Sequence, residues 1–322
     1  MIIDLRETAK LLESKDSILL LSHSHPDGDT LGSATALAYA LRQKGKKVAV
    51  RCGDPIPKDF DFMFVNLEND EFEPEFIVAV DVADVKLLGR EFEGIYGNKI
   101  DLCIDHHGSN LLYAENVWLE ADSASTAEMM YLLLKDMGTE INPVIASCLF
   151  TGVATDTGCF RFSNTKVRTF EIAASLAAAG ADTYNIIQVF FETKTKTFAA
   201  LEKLAIESLR FYCEDRCAVI CVTQDMYKRS GSNESETDRL ANIPRQIEGV
   251  LVGVTIRELS DGKYKASVRT HGDIDASAIC ARLGGGGHVG AAGCTLSGTK
   301  QQAVNSLVKE ISDEIDFFLS EQ

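Results

Sequence analysis

The sequence predicts an α/β protein: a mostly parallel sheet with helices on both faces, followed by a smaller C-terminal α/β domain. Apolar runs rich in β-branched residues alternate with Ala- and Leu-rich segments through the first half of the chain, a pattern typical of βαβ units. The length of 322 residues exceeds that of one average domain. Strand-like runs also begin again from Cys217 onward, which indicates a second domain.

The first half divides into strands and helices by its hydrophobic periodicity. Strands are predicted over residues 18–22, 48–52, 76–80 and 100–104. Helices are predicted over residues 4–14, 30–44, 123–137, 142–154 and 166–179. Gly45 marks the end of the second helix. Because binding sites in such sheets form beyond the carboxyl ends of the strands, polar residues at those ends are the candidates for function.

The second half restarts after a helical connector over residues 191–209, which separates a first domain (1–190) from a second (210–322). Strands are predicted over residues 217–223, 249–258 and 263–270. A helix over residues 275–282, a glycine-rich loop and a closing helix over residues 299–318 complete the chain. This order predicts a smaller α/β domain.

Composition limits the function classes. The net charge of −16 argues against a broad, non-specific nucleic-acid binder, which would carry a basic surface. No apolar run reaches the roughly 18–20 residues that span a bilayer, and the N-terminus does not resemble a signal peptide. The nine cysteines are odd in number and lie mostly in apolar stretches, as expected of reduced thiols. We therefore expect a cytoplasmic protein without membrane partners.

The first polar cluster, residues 22–33 (SHSHPDGDTLGS), directly follows a predicted strand. It holds His23, His25, Asp27 and Asp29 within seven residues. One alternative is a turn that merely caps the next helix, as short polar loops often do. The density of imidazole and carboxylate groups favours a metal site instead.

Three further clusters follow other predicted elements. Asp81 ends the third strand, and the triplet Asp105, His106 and His107 ends the fourth. Adjacent histidines point in different directions, so one can bind a metal while the other faces a substrate, and Asp105 can orient an imidazole. Asp156 is predicted to follow a helix. Taken singly, Asp81 or Asp156 would be a turn or cap residue.

The fifth cluster is glycine-rich. Residues 284–293 (GGGGHVGAAG) contain four consecutive glycines whose backbone N–H groups can surround an anion, and His288 lies beside them. Arg269, on the preceding strand, can add a bidentate contact to phosphate. Five of the six histidines lie in these clusters, which scattered core histidines would not do.

These clusters, in this order, resemble the DHH phosphoesterase family with a C-terminal DHHA1 domain. The first cluster is similar to the family pattern HxxPDxDxxGS, and the glycine cluster is similar to the pattern GGGHxxAAG. The matching residues of the first domain are His23, Pro26, Asp27, Asp29, Gly32, Ser33, Asp81, Asp105, His106, His107 and Asp156. Those of the second domain are Gly285, Gly286, Gly287, His288, Ala291, Ala292 and Gly293.

The resemblance implies a catalytic, metal-binding first domain and a substrate-binding second domain. Its pattern assigns one divalent cation to His23, Asp27 and Asp81, and a second to Asp29, Asp81, His106 and Asp156. Nitrogen and oxygen ligands without Cys favour Mn²⁺. The implied catalytic residues are His107 and Asp105. The implied phosphate-binding residues are Arg269, Gly285, Gly286, Gly287 and His288.

Within the family, the resemblance is to the branch of stand-alone oligoribonucleases that also hydrolyse 3′-phosphoadenosine-5′-phosphate (PAP). The segment 242–250 (NIPRQIEGV) also resembles that branch. The expected substrates are short RNA oligonucleotides and phosphorylated nucleotides. Two alternatives stay open: a phosphodiesterase dedicated to linear dinucleotides from cyclic-dinucleotide breakdown, and a non-catalytic nucleic-acid-binding module. The oligomeric state is not fixed by the sequence, and a homodimer is compatible with it.

Overall fold

The computed structural model describes residues 1–67 and 72–320, with only the backbone described for Ser235, Asp238 and His288. The chain divides into two compact units, residues 1–193 and 194–322. Each unit has its own sheet and its own core of buried apolar side chains.

The first unit contains a five-stranded parallel sheet with the strand order β2-β1-β3-β4-β5. The strands are β1 (Ser17–Ser22), β2 (Lys47–Cys52), β3 (Phe76–Val80), β4 (Leu102–Asp105) and β5 (Asn116–Leu119). The predicted fold class is confirmed. Strand β5 was not predicted, because four residues with one polar end carry little periodicity.

Helices cover both faces of this sheet. They are α1 (Leu5–Glu13), α2 (Gly28–Gln43), α3 (Arg90–Tyr96), α4 (Thr126–Asp136), α5 (Pro143–Asp156), α6 (Val167–Ala178) and α7 (Thr183–Ile187). Alternate residues of β1 enter the two cores: Leu20 lies in the core with α2, α4 and α5, and Leu21 lies in the core that Phe92 of α3 contacts.

Helices α2 and α5 pack very closely, and glycine makes this contact possible. A Cβ atom on Gly32 would lie 2.3 Å from the carbonyl oxygen of Cys148. A Cβ atom on Gly152 would lie 2.8 Å from a carboxylate oxygen of Asp29. Gly32 and Gly152 therefore permit a close contact between the two helices, which brings the C-terminal half of α5 against the first polar cluster.

Two predicted helix boundaries need correction at functional positions. The helix predicted over residues 123–137 begins at Thr126, because the hydroxyl of Ser125 accepts the backbone N–H of Glu128 and caps it. Asp156 does not follow a helix but is the last residue of α5. The carboxylate of Asp156 is therefore held by helical backbone rather than by a loop.

The second unit contains a six-stranded mixed sheet with the strand order β10-β11-β9-β8-β7-β6. The strands are β6 (Arg210–Tyr212), β7 (Cys217–Val222), β8 (Val252–Glu258), β9 (Tyr264–Thr270), β10 (Gly286–His288) and β11 (Ala291–Leu296). The helices are α8 (Lys196–Glu207), α9 (Gln224–Ser230), α10 (Ala276–Ala281) and α11 (Lys300–Ser320). Helix α8 lies within the predicted connector, and its Phe198 and Leu201 pack in a core with Ile220 of β7.

The sequence predicted an open loop for the glycine-rich segment, but the structure shows a hairpin there. Residues 286–288 form β10, which pairs with residues 291–293 of β11 in an antiparallel hairpin. Glycine is required there because a Cβ atom on Gly285 would lie 2.2 Å from the carbonyl oxygen of Gly293. Packing of one backbone against another explains this glycine without a ligand.

Within the described ranges, no helix combines the length and the apolar character that a membrane span requires. All nine cysteines are free thiols.

Candidate metal centre

The six predicted metal-binding side chains lie together at one edge of the first unit's sheet. They come from the carboxyl ends of β1, β3 and β4 and from the ends of α2 and α5 that face this edge. The residues are His23, Asp27, Asp29, Asp81, His106 and Asp156, and their ligand atoms fall into overlapping groups within 4.8 Å of one another. The rule that sites form beyond the carboxyl ends of parallel strands therefore holds for this sheet.

The first group contains His23, Asp27 and Asp81. The Nε2 atom of His23 lies 3.6 Å from Asp27 Oδ1 and 3.7 Å from Asp81 Oδ2. On the other side of the ring, Nδ1–H donates to the carbonyl oxygen of Ser24 at 2.9 Å. Because a carbonyl can only accept, this contact fixes a proton on Nδ1 and turns Nε2 toward the carboxylates.

The second group contains Asp29, His106 and Asp156. The Nε2 atom of His106 lies 3.4 Å from Asp156 Oδ2, 3.8 Å from Asp81 Oδ1 and 3.9 Å from Asp29 Oδ2. Its Nδ1–H donates to the carbonyl oxygen of Ser123 at 3.2 Å. Its Nε2 atom is buried and has no hydrogen-bond partner among the described residues.

The unpartnered Nε2 atom of His106, which faces three carboxylates, indicates whether a cation fits among these residues. A buried polar atom without a partner is costly, and a lone pair facing carboxylate oxygens adds repulsion. A divalent cation among these atoms removes both costs at once. The donor set of imidazole nitrogen and carboxylate oxygen also suits such a cation, so the residues present fit the implied metal.

The carboxylate of Asp81 lies close to the imidazoles of both His23 and His106. Asp81 follows β3 directly, and its backbone adopts the left-handed conformation with φ = 62°. This conformation is uncommon for a residue other than glycine and collects at functional sites. Its Oδ1 atom accepts the hydroxyl hydrogen of Thr126 at 2.8 Å, and both side chains are buried.

Asp29 is held by the N-terminus of α4. Its Oδ2 accepts the backbone N–H of Thr126 at 2.7 Å, and its Oδ1 accepts that of Ala127 at 2.8 Å. The side chain is 1% exposed. Burial and the neighbouring carboxylates of Asp81 and Asp156 raise the pKa of Asp29 well above 3.8. The helix N-terminus only partly offsets this crowding of negative charge.

Asp156 is subject to the same crowding. Burial and the charge of Asp81, followed by that of Asp27, raise the pKa of Asp156 well above 3.8. In contrast to Asp29, the Asp27 side chain is 55% exposed, so the cluster opens to solvent on the side of Asp27. Asp27 also caps α2, because its Oδ1 accepts the backbone N–H groups of Asp29 and Thr30. The helix-capping alternative and the metal interpretation are therefore both compatible with this residue.

His107 has a different partner from its neighbour. Its Nδ1–H donates to Asp105 Oδ1 at 2.7 Å, and the fully buried Asp105 also accepts the side-chain amide of Asn110 at 2.6 Å. Burial lowers the pKa of His107, but the hydrogen bond to Asp105 and the charge of Asp81 outweigh it and raise the pKa to about 9. His107 is therefore a protonated group with its Nε2 side available for other contacts.

His25 lies apart from this cluster. Its side chain is 93% exposed, and its Nδ1 lies 3.2 Å from Asp54 Oδ2. The first polar cluster of the sequence therefore contributes three of its four acidic and imidazole side chains to the candidate site.

In the second unit, backbone register aligns the predicted phosphate-binding residues. Arg269 of β9 lies opposite Ala291 of β11, and Ala291 lies opposite His288 of β10. The side chain of His288 is outside the described residues. Gly286 and Gly287 lie on the same short strand, which is at the edge of the sheet.

Family profiles match both units. The profile of the DHH family, N-terminal domain, matches residues 17–153, and the profile of the DHHA1 domain matches residues 216–316. The bifunctional oligoribonuclease and PAP phosphatase NrnA of Thermus thermophilus is 30% identical over 324 residues, which cover 97% of this chain and 94% of that protein.

The chain belongs to the DHH family.

Other DHH proteins resemble the chain over nearly all of its length. It is 26% identical to the cyclic-di-AMP phosphodiesterase GdpP of Geobacillus thermodenitrificans, with 94% of this chain and 48% of that protein covered. The crystal structure of an exopolyphosphatase-related protein from Bacteroides fragilis superposes with a TM-score of 0.88 at 23% identity, and covers 96% of this chain and 95% of that one. The structural similarity supports the fold.

The sequence analysis did not identify the segment that positions the proposed metal ligands by hydrogen bonds. This segment, residues 123–128, supplies the carbonyl that orients His106 and the donors that hold Asp29 and Asp81. The buried carboxylate of Glu128 accepts hydrogen bonds from Arg168 and Thr169 and fixes the segment in turn. The sequence feature that could have identified this segment is the helix-capping pattern S-x-x-E, formed by Ser125 and Glu128.

Proposed function

We propose that this DHH protein is a metal-dependent phosphoesterase that hydrolyses short oligoribonucleotides and PAP. The observation that carries the proposal is the cluster in which His106 Nε2, buried without a partner, faces three carboxylates. The similarity to NrnA over 97% of the chain supports the same substrate classes. A cytoplasmic location and a homodimer accompany this proposal as predictions.

The proposed ligands divide into two sets that share one residue. His23, Asp27 and Asp81 would hold one divalent cation, and Asp29, Asp81, His106 and Asp156 would hold the second. Four carboxylates balance the charge of two divalent cations, and ligands of nitrogen and oxygen alone favour Mn²⁺. When bound, such a pair of cations lowers the pKa of water and neutralises charge on phosphate.

His107 is proposed to act on the leaving group. Its proton at Nδ1 is held by Asp105, so the proton at Nε2 is the one that can be donated. Burial lowers the pKa of His107, but the hydrogen bond to Asp105 raises it to about 9 in the cation-free protein, so this hydrogen bond favours the protonated imidazole. His107 can therefore donate to the oxygen that leaves phosphorus, or hold a phosphate oxygen by a charge-assisted hydrogen bond.

Arg269, Gly285, Gly286, Gly287 and His288 are proposed to bind a substrate phosphate. The register that aligns Arg269 with Ala291 and His288 supports this proposal, because the arginine and the histidine lie two strands apart with a small alanine between them. The strongly acidic chain would thus attract an anionic substrate locally rather than over its whole surface.

Rates on four substrates test the function. The purified protein is titrated with Mn²⁺ and assayed on a labelled diribonucleotide, a longer RNA, PAP and pyrophosphate. We expect hydrolysis of the diribonucleotide and PAP, slower hydrolysis of the longer RNA, and none of pyrophosphate. RNA binding without hydrolysis at any Mn²⁺ concentration would overturn the proposal and favour the binding-module alternative.

The similarity to GdpP favours a second candidate, a phosphodiesterase dedicated to linear dinucleotides. The same assay separates the two. A dedicated enzyme would cleave the dinucleotide and leave both PAP and the longer RNA intact.

A further inference from the structure

The two faces of the second unit's sheet differ in charge. One face carries buried apolar side chains of β8, β9 and β11, such as Val254, Val268 and Ala292, which pack in a core with α11. Register defines the other face as three rows of directly opposed residues. The rows are Gly253–Arg269–Ala291, Thr255–Ser267–Gly293 and Arg257–Lys265–Thr295.

None of these nine positions is acidic, and three of them are cationic. This is unusual in a chain with 48 acidic and 32 basic residues. A face that reverses the sign of the whole protein concentrates positive potential, which attracts polyanions locally.

Only part of this face is accessible. The segment from Glu234 to Arg245 covers the β8 side: Arg257 donates to the carbonyl oxygen of Glu234, and Thr255 donates to that of Leu240. The rest, here called the β9–β11 surface, is partly or fully exposed. It consists of Lys265, Ser267, Arg269, Ala291, Gly293 and Thr295.

The spacing of charges along β9 suits a chain of phosphates. Lys265 and Arg269 are four residues apart on the same face, which corresponds to about 14 Å in an extended strand. A short oligonucleotide can span this distance, whereas a mononucleotide cannot. The positions between them carry the hydroxyl of Ser267 and the bare backbone of Gly293, so that a sugar–phosphate chain can approach closely.

We propose that the β9–β11 surface binds the sugar–phosphate backbone of an oligoribonucleotide, with Lys265 contacting a phosphate beyond the one assigned to Arg269. The inference rests on the proposed function and adds to it a determinant of substrate length. Lys265 acts as a point charge that recognises phosphate without reading the base. Lys265 would therefore contribute to the kcat/KM of substrates long enough to reach it, and not to that of a dinucleotide.

The test compares Lys265→Gln with Lys309→Gln in the Mn²⁺-loaded full chain. Lys309 is a matched control, because it is an exposed lysine on α11, which covers the opposite face. The kcat/KM values for a penta- and a diribonucleotide are measured at several salt concentrations. Glutamine keeps most of the aliphatic stem and removes the charge.

We expect Lys265→Gln to lower the ratio of the pentanucleotide to the dinucleotide kcat/KM about fivefold, and Lys265→Glu to lower it further. The logarithmic salt dependence for the pentanucleotide should become less steep by about 0.7, the value for one lost phosphate contact on a single strand. Lys309→Gln should change neither quantity. An unchanged ratio and salt slope in both Lys265 variants, or an equal loss on both substrates, would overturn the inference.

Failure of the proposed function gives a different result. If the wild-type protein hydrolyses neither substrate, the function is wrong. The surface is then tested by the fluorescence anisotropy of a labelled pentaribonucleotide, which should bind wild type and Lys309→Gln about fivefold more tightly than Lys265→Gln. Equal affinities would reject the surface.

Discussion

The hydroxyl of Thr126 donates a hydrogen bond to Asp81 Oδ1 at 2.8 Å in the interior of the first unit. The contact joins the start of α4 to the carboxylate that both proposed cation sites share. It leaves Oδ2 of Asp81 turned toward His23. Thr126 is therefore a positioning residue, which acts through Asp81 rather than on a substrate.

We predict that Thr126→Val weakens Mn²⁺ binding about tenfold. Valine keeps the shape of threonine but removes the donor, and a hydrogen bond to a charged group contributes about 1.5–3 kcal/mol. Affinity is measured by isothermal titration calorimetry on the metal-stripped protein. Thr126→Ser should restore wild-type affinity. Equal affinity in the valine and serine variants would show that the hydroxyl does not position Asp81.

Asp81→Ala should abolish metal-dependent hydrolysis, because it removes the carboxylate that both cations share. Turnover of a labelled diribonucleotide should stay at background even in excess Mn²⁺. The matched control is Asp122→Asn, since Asp122 is a fully exposed acid outside the cluster. Substantial turnover by a folded, metal-loaded Asp81→Ala protein would reject the assignment.

Asp105→Asn should lower kcat by about 10- to 100-fold while Mn²⁺ affinity changes little. Asp105 contacts His107 and Asn110, not the two imidazoles of the proposed cation sites. Loss of its charge removes the group that raises the pKa of His107, so part of the roughly 10²–10⁴-fold contribution of a general acid is lost. Single-turnover kinetics and calorimetry separate the two effects. A loss of Mn²⁺ binding as large as the loss of kcat would contradict the role of Asp105.

Arg269→Ala should raise the KM for PAP about tenfold and leave kcat and Mn²⁺ stoichiometry nearly unchanged. Arg269 belongs to the second unit, whereas all proposed cation ligands belong to the first. Arg269→Lys should recover only part of the affinity, because an ammonium cannot form the bidentate contact. Loss of bound metal in Arg269→Ala would show that the residue has been assigned wrongly.

The metal-free protein should become less stable as the pH rises. Asp29 and Asp156 have raised pKa values in the folded state, so the folded state binds more protons than the unfolded state above about pH 4. Stability present below that pH is therefore lost as the pH rises through the folded pKa values. His23, whose pKa the carboxylates of Asp27 and Asp81 raise to about 11 against the effect of burial, adds to the same trend above about pH 6.5.

Melting temperatures at about pH 5 and about pH 8 check this prediction. The metal-free protein should melt at a lower temperature at the higher pH. Mn²⁺ should stabilise most at the higher pH, because cations bind deprotonated ligands. A metal-free melting temperature that rises over this range would contradict the proposed crowding of carboxylates.

Much of the site was predictable because its residues follow strands directly in the sequence. A buried parallel strand is a continuous apolar run, so His23, Asp81 and His106 could each be located at a strand's end. The common edge of a parallel sheet then brings them together. Residue type and position thus sufficed for the cluster itself.

The contacts that position the cluster could not be predicted from residue type and position alone. The role of Thr126 depends on the left-handed backbone of Asp81 and on the position of α4, which are tertiary features. The exposed position of His25 depends on the local backbone conformation between His23 and His25, which directs the two side chains to different surroundings. The hairpin at Gly285 depends on a long-range approach to Gly293, which a run of glycines does not specify.

A crystal structure of the protein grown with Mn²⁺, with anomalous diffraction recorded at the manganese edge, tests the central claim most directly. We predict two anomalous peaks in the first unit, one beside His23 and Asp27 and one beside His106 and Asp156, with Asp81 in contact with both. No peak among these residues, or manganese bound only elsewhere on the chain, would contradict the claim.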